Sequence, residues 1–124
     1  MALWCVEPTD QYNRDFKHYS KKHPEELKAV LDNIDTYLKL LNSCDNPAFI
    51  SVGFLHNEPD GIKAIDQKGS KSKQKLQQAR LYTYAYSDNN ILYLLGIGGK
   101  TSQGGDIQKY RKYMRSLKQG GQNG

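Results

Sequence analysis

Residues 78–100, QARLYTYAYSDNNILYLLGIGGK, decide the fold class of this chain. The first part, residues 81–86, is rich in tyrosine and has a strong propensity for β-structure. Residues 88–90 form a tight polar connection, and residues 91–97 are almost continuously apolar, as in a central strand that is covered on both faces. The stretch therefore predicts a β-hairpin.

A strand and a helical hairpin are predicted before this stretch. Residues 2–7 alternate around Trp4 and predict a short first strand. Thr9 and Asp10 are helix N-cap types, and Pro24 suits the first turn of a second helix. Each helix has an apolar face at helical spacing, formed by Tyr12, Phe16 and Tyr19 in the first and by Leu27, Val30, Leu31, Ile34, Leu38 and Leu41 in the second. We expect two antiparallel helices that end near residue 42.

The segments around the hairpin complete the element order. Residues 49–55 fit either a strand or an irregular segment, residues 57–61 form a strong turn, and Ile62 and Ile65 begin a further strand. The polar residues 69–75 fit either a flexible loop or the exposed continuation of a strand. A short C-terminal helix has an apolar face made of Ile107, Tyr110, Met114 and Leu117. We predict one domain over residues 1–118 and a flexible glycine-rich tail over residues 119–124.

Length and composition exclude several classes of protein. A chain of 124 residues, 37% of them hydrophobic and 25% charged, has the size and composition of one soluble globular domain. The N-terminus lacks the features of a signal peptide and no apolar run approaches the ~20 residues that cross a bilayer, so we expect a cytoplasmic protein with no membrane partner. Cys5 and Cys44 are predicted to be buried thiols. No histidine or cysteine has metal-ligand spacing, so we expect no metal and no cofactor.

Charge is distributed unevenly along the chain. Residues 1–70 carry eight basic and eleven acidic side chains, a net charge of −3, whereas residues 71–124 carry ten basic and two acidic ones, a net charge of +8. Such a basic half favours a polyanion partner, because phosphate neutralisation dominates nucleic-acid affinity. A basic surface kept for solubility and an acidic protein partner are the alternatives.

The cations of this half form a pattern that suits a phosphodiester. Lys71 and Lys73 lie on one face if their segment is extended, Arg80 follows seven residues later, and Lys100 ends the strand that pairs with that of Arg80. Arginine offers a bidentate fork to phosphate oxygens and lysine a point charge, while tyrosines offer stacking platforms for unpaired bases. A solvated lysine-rich loop is the alternative interpretation.

The sequence resembles the RelE/ParE superfamily of type II toxin–antitoxin toxins. Residues 4–35, WCVEPTDQYNRDFKHYSKKHPEELKAVLDNID, are similar to the first strand and helical hairpin of that family, with residues 13–17, NRDFK, at its recurring motif. Residues 78–100 are similar to its arginine-bearing strand, acidic turn and apolar strand ending in lysine. The spacing of Lys71, Lys73 and Arg80 is similar to that in the mRNA-cleaving branch.

The resemblance implies a fold, an activity and partners. The implied fold is α+β (RelE-like), with an N-terminal strand and helical hairpin packed on a small twisted antiparallel sheet and a short C-terminal helix. The implied activity is that of a ribosome-dependent mRNA endoribonuclease, an mRNA interferase that inhibits translation through metal-independent attack by the RNA 2′-hydroxyl. The implied partners are mRNA on the ribosome and a cognate antitoxin protein, with a homodimer or a toxin–antitoxin hetero-oligomer as the assembly.

The resemblance also assigns roles to five residues. Lys71 and Lys73 would activate the 2′-oxygen or stabilise charge, Arg80 would hold the scissile phosphate, and Lys100 would add a phosphate contact. Ile107 stands where the family places a catalytic tyrosine or histidine, so Tyr110 is the substitute, and a core-facing tyrosine is the alternative. Two other functions stay open: a ParE-like toxin that inhibits DNA gyrase without cutting RNA, and a catalytically inactive RNA-binding relative.

Overall fold

The computed structural model describes residues 3–69, 77–99 and 103–123. For residues 103–106 and 118–123 it describes the backbone only. The described chain folds into a five-stranded sheet with helices on both faces. The elements in chain order are β1 (Cys5–Pro8), α1 (Asp10–Lys22), α2 (Pro24–Ser43), β2 (Leu55–Asn57), β3 (Lys63–Ile65), β4 (Ala79–Tyr86), β5 (Ile91–Gly99) and α3 (Gln103–Asn123).

The helical hairpin begins as the sequence predicts. Thr9 caps α1, since its Oγ1 accepts a hydrogen bond from the backbone N–H of Tyr12 at 3.1 Å. The same hydroxyl donates to the carbonyl of Leu95 at 3.1 Å, which ties the start of the helix to β5. Pro24 occupies the first turn of α2, where the absence of its N–H costs nothing.

The sheet is mixed, which corrects the predicted antiparallel sheet. The strand order is β1-β5-β4-β3-β2, and β1 pairs with β5 in parallel, whereas the other pairs are antiparallel. The hairpin predicted from residues 78–100 is confirmed, with Ala79 opposite Gly99 and Tyr86 opposite Ile91. Because that hairpin leaves one edge of β5 unpaired, the N-terminal strand covers this edge and makes β5 a central strand.

Two hydrophobic clusters hold the helices on the two faces. The first lies between the sheet and the α1–α2 hairpin and includes Val30, Tyr37, Leu41, Leu81 and Leu92. The second lies between the sheet and α3 and includes Ala64, Tyr82, Leu95, Ile107, Tyr110 and Met114. The predicted apolar face of the C-terminal helix is therefore confirmed. We call the side of the sheet that carries this second cluster the α3 face.

Other predictions have mixed outcomes. Residues 49–55, which fitted either a strand or an irregular segment, form the end of a 3₁₀ turn, a linking segment and the start of β2. Cys5 is exposed in an edge strand and Cys44 is half-buried, so the prediction of buried thiols is wrong for Cys5. Of residues 69–75, whose conformation the sequence did not determine, residues 70–75 lie outside the described residues. None of the helices in the described part of the chain is both long and apolar enough to cross a membrane.

Candidate functional site

Two of the five predicted site residues fall within the described chain, Arg80 and Tyr110. Lys71, Lys73 and Lys100 lie outside it, so their grouping with Arg80 stays a prediction. The candidate site described below consists of Arg80 and the described side chains that share its face of the sheet.

Arg80 lies on the α3 face near the beginning of β4. Its neighbours Ala79 and Leu81 point into the cluster beneath the helical hairpin, and the alternation of a strand directs Arg80 the other way. The residue opposite it on β5 is Gly98, which has no side chain to cover the guanidinium. The Arg80 side chain is 21% exposed, which keeps the cation partly dry yet reachable from solvent.

The guanidinium of Arg80 is only partly engaged. Its Nη1 is 3.7 Å from Oε1 of Glu58, a distance at which charges attract without a close hydrogen bond. Its Nε is buried and has no hydrogen-bond partner among the residues that the structure describes. A buried donor without an acceptor is costly, and Nε itself is closed to solvent. An anion such as a phosphate would reach the guanidinium through the part of the side chain that stays exposed.

A histidine–carboxylate pair lies on the same face. Nε2 of His56 in β2 is 2.5 Å from Oδ2 of Asp66, which directly follows β3. The pairing of β2 with β3 places His56 opposite Ala64, and the pairing of β3 with β4 places Ala64 opposite Tyr82. Both neighbours belong to the α3-face cluster, so His56 lies on the face that carries Arg80.

Glu58 connects the two pairs. It lies two residues after His56, directly beyond the end of β2, and its carboxylate reaches Arg80 on β4. Between them the buried side chain of Ala64 is a single methyl group, which leaves room above the sheet for long side chains. We call His56, Glu58, Asp66 and Arg80 together the Arg80 cluster.

Tyr110 is packed in the core beside this cluster. It is 3% exposed, and its ring lies 5.1 Å from that of Tyr82. Its hydroxyl lies directly over Gly96, where an added Cβ would come within 2.2 Å of Oη. The structure therefore gives Tyr110 the core-facing position that was the alternative above, and a catalytic role for it stays a prediction.

The helix that carries Tyr110 is fastened at a second point. Nε of Arg111 donates to Oδ2 of Asp60 at 2.5 Å. Asp60 lies in the 3₁₀ turn Pro59–Gly61 with φ 62°, a left-handed conformation that asparagine and aspartate tolerate better than most residues. This ion pair joins α3 to the turn between β2 and β3, immediately after Glu58 of the Arg80 cluster.

An aromatic row continues along β4 from the cluster. Tyr82, Tyr84 and Tyr86 follow Arg80 at every second position and share its face. The rings of Tyr84 and Tyr86 are 5.9 Å apart, and both side chains are half-buried. The tyrosines predicted as stacking platforms thus lie on the same face as the arginine predicted to bind phosphate.

Sequence reasoning missed His56, Glu58 and Asp66. It considered each histidine only as a metal ligand, and the contact of His56 with Asp66 depends on strand pairing across a turn. The available signal was the alternation of His56 with Glu58 before that turn, which puts both on one face of a strand. Within the described ranges no group of three or more His, Cys, Asp or Glu side chains is arranged to hold a metal ion.

Comparison with known proteins adds no relative. No family model matches the chain, and neither does any curated protein or solved structure. The likeness to RelE/ParE toxins therefore rests on the motifs quoted above. The class that the fold defines is an α+β protein with a five-stranded mixed sheet.

Proposed function

We propose that this protein is the toxin of a type II toxin–antitoxin system, a RelE-like endoribonuclease that cleaves mRNA on the ribosome. The observation that carries the proposal is Arg80, a partly exposed arginine on the α3 face whose guanidinium is 3.7 Å from Glu58 without a close hydrogen bond. The motif resemblance assigns the scissile phosphate to this residue.

The chemistry asked of Arg80 is charge stabilisation. Attack by a 2′-hydroxyl on the neighbouring phosphorus gives a phosphorane with additional negative charge on its oxygens. A preorganised guanidinium stabilises this transition state more than it stabilises the ground state. Glu58 orients the guanidinium from 3.7 Å without occupying its donors in a close bidentate pair. Lys71, Lys73 and Lys100 are proposed to add positive charge around the same phosphate.

The proposed partners follow from charge. The net charge of +8 over residues 71–124 attracts the mRNA backbone and equally an acidic antitoxin peptide that folds on docking. In this proposal the protein acts in the cytoplasm, where ribosomes hold the mRNA and an antitoxin keeps the free toxin inactive. Co-expression with the adjacent open reading frame is expected to give a complex that co-purifies.

Expression of arginine variants in bacteria tests the proposal. Wild-type expression should arrest growth and cut transcripts within coding regions, and Arg80→Ala should reduce cleavage by about 100-fold, the effect of removing one charge-stabilising donor. Arg80→Lys should keep an intermediate activity, since it retains the charge but loses the fork. Arg14→Ala is the matched control, because Arg14 is exposed on α1 and its guanidinium hydrogen-bonds to Gln11 on the same helix.

Two other outcomes would select the other functions. Induction of a DNA-damage response with intact transcripts indicates a gyrase inhibitor. Neutral growth with salt-sensitive RNA binding indicates an RNA-binding protein without catalytic activity. Either result, with the wild-type protein folded and soluble, contradicts the nuclease proposal.

A further inference from the structure

We infer that His56 is the general base of the cleavage reaction and that Asp66 is the residue that positions it. The inference rests on the proposed function, since it assigns the proton transfer that Arg80 cannot perform. A guanidinium stays protonated at all physiological pH values, so it can stabilise charge but cannot take a proton from the 2′-hydroxyl.

The contact between the two side chains sets the tautomer. Asp66 lies 2.5 Å from Nε2 of His56, and a carboxylate at that distance holds the ring proton on Nε2. The lone pair of the neutral ring is then on Nδ1, which hydrogen-bonds to no described residue. The His56 side chain is 38% exposed, so this nitrogen can reach a substrate that lies on the α3 face.

Asp66 is itself held in place by other residues. Its Oδ1 accepts a hydrogen bond from the backbone N–H of Lys68 at 2.7 Å. Its backbone carbonyl accepts from Nδ2 of Asn33 on α2 at 2.8 Å. A carboxylate fixed on both sides can hold an imidazole in one orientation, which is the role of the third member in hydrolase triads.

Charged groups on the strands that carry or flank His56 lie at the ends of β2 and β3 and on β4. Glu58 follows it beyond the end of β2, Asp66 and Lys68 follow β3, and Arg80 is on β4. Ala64, between β2 and β4, is fully buried, so in this inference the phosphodiester strand runs over the exposed part of the α3 face, from the guanidinium of Arg80 to the imidazole of His56. Base and charge stabiliser then act on one phosphodiester from two sides.

The proposed step balances without a cofactor. Nδ1 of His56 takes the 2′-hydroxyl proton as the 2′-oxygen forms a bond to phosphorus, and the bond from phosphorus to the 5′-oxygen breaks. The leaving 5′-oxygen takes a proton from water, and His56 later returns its proton to solvent. The products are a 2′,3′-cyclic phosphate and a 5′-hydroxyl, with no change in oxidation state.

Three variants separate this role from a structural one. General bases contribute about 10²–10⁴-fold, so His56→Gln should lower the single-turnover rate on ribosome-bound mRNA by about that factor. The decline of the wild-type rate on acidification should disappear in His56→Gln. Asp66→Asn keeps an oxygen for the N–H of Lys68 but turns its NH₂ group towards Nε2, so the ring proton moves to Nδ1 and the rate should fall here as well. His18→Gln, an exposed histidine on α1, should leave the rate and its pH profile unchanged. A cooperative thermal unfolding transition is the control that each variant is folded.

A substrate with a 5′-thio leaving group distinguishes a general base from a general acid at position 56. Sulfur leaves without a proton, so a variant that has lost a general acid is restored by this substrate, whereas one that has lost the base stays slow. We expect His56→Gln to be slow on both substrates. Recovery on the thio substrate, or a wild-type rate on the normal one, would overturn the assignment while leaving the nuclease proposal intact. If wild-type protein leaves the normal mRNA uncut, the nuclease proposal itself fails, and this assignment fails with it.

Discussion

At the scale of single residues, Tyr37 shows how burial changes the chemistry of a side chain. It is fully buried on α2 between the helical hairpin and the sheet, and its hydroxyl has no hydrogen-bond partner within the described ranges. Burial, with a smaller contribution from the Cys44 thiol, raises the pKa of Tyr37 to about 12 from the usual 10.0. The folded protein therefore keeps the phenol proton at pH values where the unfolded chain loses it.

This pKa shift predicts a stability loss in alkali. Below pH 10 both states are protonated, so the full contribution is present, and it is lost as pH rises through about 12. The loss amounts to about 3 kcal/mol. Tyr37→Phe should reduce that dependence and, by removing a hydroxyl without a partner, stabilise the protein at neutral pH by about 1 kcal/mol. Urea unfolding of both proteins at pH 7 and pH 11 measures both effects, and equal slopes against pH would contradict this account.

The residues of the Arg80 cluster were only partly accessible to sequence analysis. Arg80 was identified because its spacing from other cations matched a family motif. Sequence spacing could not identify Glu58 as the partner of Arg80, or Asp66 as the partner of His56. Each of these contacts spans a pairing between strands. Side chains that meet across a sheet leave no periodic signal in the sequence.

At the scale of elements, α3 depends on a glycine in β5. An added Cβ at Gly96 would lie 2.2 Å from Oη and 2.8 Å from Cζ of Tyr110, and 2.9 Å from Oδ2 of Asp15. That carboxylate also accepts a hydrogen bond from the backbone N–H of Ile97 at 2.9 Å, so it cannot move away freely. The close approach of α3 to the sheet is possible because position 96 has no side chain.

Gly96→Ala should therefore weaken the docking of α3. We expect a loss of about 1–3 kcal/mol in the free energy of unfolding, the usual cost of overpacking a core. Tyr110→Phe removes the closest atom, so the double variant should recover part of the loss, a coupling that a double-mutant cycle measures. Ala85, half-buried on the same hairpin, offers Ala85→Gly as a control that should show no coupling to Tyr110. Strict additivity of the Gly96 and Tyr110 changes would contradict the contact.

Elements with a strong period were predicted together with their buried faces, whereas the pairings between distant strands were not. The apolar faces of α2 and α3 and the β4–β5 hairpin follow from spacing and turn composition. By contrast β2 was not assigned and only the region of β3 was predicted, because each strand has three residues, too few to show an alternation. The parallel partner of β1 was unpredictable because its pairing with β5 joins segments more than eighty residues apart.

At the scale of the whole molecule, the two faces of the sheet differ in the side chains they carry. The face beneath α1 and α2 is closed by the larger apolar cluster and serves stability. The α3 face combines a smaller cluster with the Arg80 cluster and the tyrosine row of β4. The strands β4 and β5 and the helix α3 come from the half of the chain with a net charge of +8.

The measurement that bears most directly on the proposed function is the chemistry of the cut ends. Purified protein is added to ribosomes carrying a defined mRNA, and the product termini are identified by mass spectrometry for the wild type, Arg80→Ala and Arg14→Ala. We predict a 2′,3′-cyclic phosphate and a 5′-hydroxyl, no cut when the nucleotide at the cleavage site is 2′-deoxy, and a rate about 100-fold lower in Arg80→Ala alone. Uncut mRNA, a 3′-hydroxyl at the cut, or equal rates for Arg80→Ala and the wild type would contradict the account.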